Sequence, residues 1–89
     1  MKAVITVTGK DMIGILANIS GICAEMSVNV MDVTQTILQD LFAMIMMADI
    51  TQCTVPFEVF SEKLKKLGKE MNLQVHVMHE DIFNSMHRI

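Results

Sequence analysis

The chain has 89 residues, room for one small domain and no second core. Its net charge is −3 with seven Lys and Arg, so it lacks the basic patch that nucleic-acid binding requires, and Phe42 is the only aromatic on its predicted strands, too few to stack bases. Hydrophobic residues make up 52%, ten residues are Met, and a chain this short is expected to need a second copy or a partner to cover the excess apolar surface.

Lys2 to Thr8 reads as a strand, with Ala3, Ile5 and Val7 alternating against more polar neighbours. A turn follows at Gly9-Lys10-Asp11-Met12-Ile13-Gly14. From Ile13 to Met26 the pattern predicts a helix whose buried stripe is Ile15, Ile19, Ile22 and Met26, widened by Leu16 and Cys23. Asp11 suits the orphan amides and the positive dipole end of that helix. Gly14 leaves the same end open to a ligand or another backbone. Ser27-Val28-Asn29 turns the chain into a second strand, Val28 to Leu38. Its alternation is imperfect, which predicts an edge position or a bulge.

Gln39-Asp40 supplies the next turn, and Leu41 to Thr51 reads as a third strand. Both of its faces are apolar: Phe42, Met44, Met46, Ala48 and Ile50 on one, Leu41, Ala43, Ile45 and Met47 on the other. Such a strand requires cover on both sides. Ile45 and Met47 are assigned by default to the side away from the helices, with Phe42 and Met44 as the alternative. Pro56, placed in a first turn, opens a second helix with the stripe Phe57, Phe60, Leu64, Leu67 and Met71. Lys63, Lys65, Lys66 and Lys69 fall on its solvent side. Asn72 ends it. Leu73 to Met78 is a fourth strand, and Asp81 caps a short amphipathic segment carrying Ile82, Phe83 and Met86.

The order β-α-β-β-α-β predicts an α+β, ferredoxin-like sandwich: a four-stranded antiparallel sheet with both helices on one face and a short C-terminal helical segment. The first and third strands should lie side by side in its centre. His76 and His79 are an odd number of residues apart and point to opposite faces of a strand, so no metal site is expected. No nucleophile–base arrangement or phosphate loop is visible, and neither catalysis nor a cofactor is expected. Cys23 and Cys53 form no CxxC pair, and the longest apolar run, Leu41 to Ala48, is far below the ~20 residues of a membrane helix. Those features, with a strand starting at the amino terminus, predict a cytoplasmic protein.

The segment Gly9-Lys10-Asp11-Met12-Ile13-Gly14-Ile15-Leu16, followed by Val28-Asn29-Val30, resembles the signature of ACT domains, small ligand-binding modules that commonly regulate amino-acid metabolism. With Asn29, Asp32, Gln35 and Phe42 it resembles the ACT regions of formyltetrahydrofolate deformylases and the glycine cleavage system repressor. The ending from His79 to Ile89 is similar to small stand-alone ACT proteins. The resemblance covers 1–89 as a single domain. It implies an amino acid or similar small molecule bound between two copies, with Asp11, Gly14, Ile15, Leu16 and Asn29 at the site, and a homodimer that signals to a separate protein. A ligand-independent interaction or assembly module is the alternative.

Overall fold

The computed structural model describes residues 1–10 and 14–86. The elements are β1 (Lys2–Gly9), α1 (Ile15–Glu25), β2 (Asn29–Leu38), β3 (Leu41–Asp49), α2 (Phe57–Glu70), β4 (Gln74–His79) and α3 (Glu80–Met86). The strands form one antiparallel sheet in the order β2-β3-β1-β4. The fold class is as the pattern predicts, with β1 and β3 central.

Alternation along β1 and β3 decides which residues meet the helices. Ala3, Ile5 and Val7 of β1 and Phe42, Met44, Met46 and Ala48 of β3 are buried in one cluster with Ile15, Ile19 and Cys23 of α1 and Phe60 and Leu64 of α2. The opposite phase of β3 faces away from the helices, with Leu41 43% and Ile45 44% exposed. Ile45 and Met47 therefore occupy the helix-free face, as assigned from the sequence. The slab measures 36 × 34 × 19 Å, the thickness of one sheet and one helical layer.

Val4 breaks the expected contrast on β1. It shares the helix-free face with its register neighbours Met47 and Met78, yet it is 0% exposed and stands outside the main cluster. Its cover is α3, which follows β4 without a loop and packs against both β1 and β4. Asp81 lies within the first turn of α3 rather than before it, because the helix already begins at Glu80. Half of the bare face is thus roofed from within the chain, and the β2–β3 half is not.

β2 is an edge strand with a register shift between Val30 and Asp32. Met31 is the extra residue, and it inverts the pattern: Val30 pairs with Ala48 on the helix side, and beyond the bulge Val33, Gln35 and Ile37 pair with Met46, Met44 and Phe42. One bulge accounts for the irregular alternation read from the sequence.

Both long helices end the same way. Val28 N–H donates to the Cys23 carbonyl at 2.8 Å and Leu73 N–H to that of Gly68 at 2.7 Å. Ser27 and Asn72 take left-handed φ of 59° and 60° at the crossing. These are Schellman endings, in which a six-to-one bond satisfies a terminal carbonyl while the next apolar residue folds back. Val28 and Leu73 are accordingly buried.

Candidate functional site

The β1–α1 corner is built where the sheet outruns the helices. Gly9 pairs with Phe42 and Phe42 with Ile37, so one row crosses three strands at that end. Gly14 then enters α1 with φ 75° and ψ 1°, the left-handed region that a β-carbon strains. Its carbonyl accepts from the Asn18 backbone N–H at 2.9 Å and from Asn18 Nδ2 at 2.7 Å. A β-carbon there would also sit 3.2 Å from Asn18 Nδ2.

Between this corner and the far half of β2 lies an open depression of about 540 Å³, lined by Gly14, Leu16, Ala17, Gln35, Ile37 and Phe42. Phe42, 5% exposed, is its floor. Leu16 at 39% and Ile37 at 59% are its walls. Gln35 offers one amide, both donor and acceptor. The first amides of an α-helix have no partner within the helix, and no side-chain cap bonds the N-terminus of α1 among the described residues. An apolar trough thus lies beside backbone donors that favour an anion.

The sequence-predicted residues distribute unevenly around it. Gly14 and Leu16 line the trough. Leu16 is exposed there rather than part of the buried stripe, because the first turn of α1 overhangs the sheet end. The Ile15 side chain, 1% exposed, is sealed in the core and lines no surface. Asn29 pairs with Asp49 at the opposite end of β2, about 20 Å from Gln35 at the usual rise of a strand; within one chain it does not join Gly14. Asp11 lies outside the described residues. Ala17 and Ile37 were not singled out from the sequence. Gln35 and Phe42 were, but only as part of a resemblance.

A larger depression, about 590 Å³, lies among Glu62, Lys63, Lys65, Lys66 and Lys69. All its lining comes from α2 alone, whereas the trough has walls from three elements and an apolar floor; the trough is the better-formed small-molecule site. His76 and His79 pair with Thr6 and Ala3, on opposite faces, and the His79 ring stacks on Phe57 with centroids 4.2 Å apart. No group of His, Cys, Asp and Glu suited to a metal occurs among the described residues. No described helix is long and apolar enough to cross a membrane.

Residues 2–78 match the family model of the ACT domain. The chain belongs to the ACT domain family. These domains are small-molecule-binding regulatory modules. The family model stops at Met78, so α3 lies beyond the part it matches. A UPF0237 protein of Methanocaldococcus jannaschii is 48% identical over 88 residues, 99% of this chain and 98% of its own. An ACT domain protein from Streptococcus pneumoniae superimposes with a TM-score of 0.81 at 34% identity, covering 93% of both chains. A formyltetrahydrofolate deformylase from Burkholderia mallei shares the fold with a TM-score of 0.77 at 12% identity, over 88% of this ACT domain and 28% of that enzyme. A candidate glycine cleavage system transcriptional repressor also shares it, with a TM-score of 0.68 at 20% identity, over 85% of this chain and 43% of that one.

Proposed function

We propose that this ACT domain senses an amino acid or a closely similar small molecule in the Gly14–Ile37 trough. As a cytoplasmic homodimer it passes that signal to a separate protein, and it performs no catalysis itself. The observation supporting this reading is an apolar trough beside the first turn of α1, whose N-terminal amides carry no side-chain cap among the described residues. A carboxylate suits the amides of the first turn of α1, beside which Gly14 places no side chain. An apolar side chain fits between Leu16, Ile37 and Phe42. Gln35 borders the same space, and its side-chain amide can accept from an ammonium group.

A thermal-shift screen against the proteinogenic amino acids and one-carbon metabolites tests it. A ligand at about 100 times its dissociation constant adds ~2.7 kcal/mol to stability, well within detection. We expect one chemical class to raise the melting temperature, and Leu16→Ser to abolish the shift. No shift with any compound removes the sensing role. The second reading, an assembly module without a small ligand, draws on the exposed Leu41, Ile45, Met31 and Ile37. A stoichiometric protein partner captured without any ligand dependence favours it.

A further inference from the structure

We infer that the groove between α1 and α2 is the docking site for an acidic, amphipathic segment of a partner protein. This goes beyond the sensing role and does not depend on it. The groove is about 250 Å³, lined by Ile22 of α1 and by Lys63, Lys66, Leu67 and Glu70 of α2. Lys63 and Lys66 also border the larger depression on α2.

The groove has a physical origin. α1 and α2 each pack on the sheet but touch one another sparsely, which leaves Ile22 and Leu67 half-buried at its bottom. On the α1 side, next to Ile22, a β-carbon at Gly21 would meet nothing within 4 Å. On the other side stand lysines. Four of the seven Lys and Arg residues lie on α2, in a chain whose net charge is −3. The α2 lysines, interspersed with Glu58, Glu62 and Glu70, thus stand beside an apolar floor that opens to solvent. Lys63 is engaged by Glu25 of α1 at 3.5 Å, with both side chains about half exposed or more, a contact that an incoming carboxylate replaces at little cost.

That pairing selects the occupant. An apolar side chain rests on Ile22 and Leu67, while carboxylates on either side of it meet Lys63 and Lys66. An amphipathic helix with acidic flanks presents this arrangement at positions three and four apart. Nucleic acid and anionic membranes are disfavoured, because the rest of the molecule repels both.

Fluorescence anisotropy on the full chain, with no small molecule added, tests the assignment. The probes are a labelled acidic peptide with leucines at helical spacing, the same peptide with serine for leucine, a single-stranded oligonucleotide, and phosphatidylserine–phosphatidylcholine vesicles. The leucine peptide should bind, more weakly as salt rises. Its affinity should fall about tenfold or more in the Lys63→Glu, Lys66→Glu double variant and severalfold in Ile22→Ser. Circular dichroism confirms that these variants are folded, and Lys2→Glu, at the far end of β1, should leave binding unchanged. Equal affinity for the serine peptide, tighter binding of oligonucleotide or vesicles, unchanged affinity in the charge-reversed variant, or no peptide binding overturns it.

Discussion

Gly21 and Gly68 lie in the two long helices under opposite constraints, and their substitution should have opposite signs. At Gly68 a β-carbon would come within 2.6 Å of Val75 Cγ2 and 3.3 Å of the Leu73 carbonyl, so α2 rides on β4 at a distance only glycine permits. Gly68→Ala should cost about 1–3 kcal/mol in urea unfolding. Val75→Ala should cost less in that background than in the parent, since the two side chains compete for one volume. Gly21 faces open space, and Gly21→Ala should stabilise by about 0.5–1 kcal/mol through helix propensity. Equal losses at both positions contradict the packing described.

Two titratable side chains carry further consequences at the same scale. Burial, and secondarily Cys53, pushes the Cys23 thiol up to about 11, and Cys23 is 1% exposed. At neutral pH an alkylating reagent should modify Cys53 and leave Cys23 intact in the folded protein, as mass spectrometry will show. The Asp49 carboxyl is held below its ordinary 3.8 first by the Thr51 hydroxyl, which donates at 2.6 Å, and then by the Thr51 N–H at 2.9 Å. The stabilisation is fully present above that ordinary value and is lost as pH falls through the lowered one. Asp49→Asn should therefore flatten the acid limb of the stability profile below pH 3.8; an unchanged limb contradicts it.

Among the elements, the entry to α1 is the most exacting. Gly14→Ala forces a β-carbon into a left-handed φ of 75° and against Asn18, and should cost about 1 kcal/mol. Calorimetry on this variant and on Asn18→Ala, which loses the Nδ2 bond, separates backbone strain from capping. The helical stripe of α2 and the doubly apolar β3 were legible in the sequence because period alone sets those faces. The irregular alternation of β2 pointed to an edge or a bulge, but its place at Met31 was not legible, since that shows only in the partner strand's register. Leu16 was assigned to the core because helical spacing marks an angle around the axis and not where the sheet beneath it ends. Likewise Ile37 gains its place in the trough from pairing with Phe42, a contact across a hairpin that no local pattern announces.

For the whole molecule, the slab has one finished side and one half-finished side. α3 roofs Val4, while Leu41 and Ile45 remain open beside it. A second copy laid on this face would bury apolar surface that the first cannot. Sedimentation of the parent should give a dimer and of Ile45→Glu a monomer, with Lys65→Glu on the far layer as the control. An unchanged mass in Ile45→Glu places assembly elsewhere.

The sensing role is tested most directly by amide chemical shifts during titration with the amino acid or metabolite that scores best in the thermal screen. We predict that the perturbed amides cluster at Gly14, Leu16, Ala17, Gln35 and Ile37 and saturate together. Shifts confined to the opposite sheet end at Asn29 and Asp49, or to the lysines of α2, or absent throughout, would contradict the account.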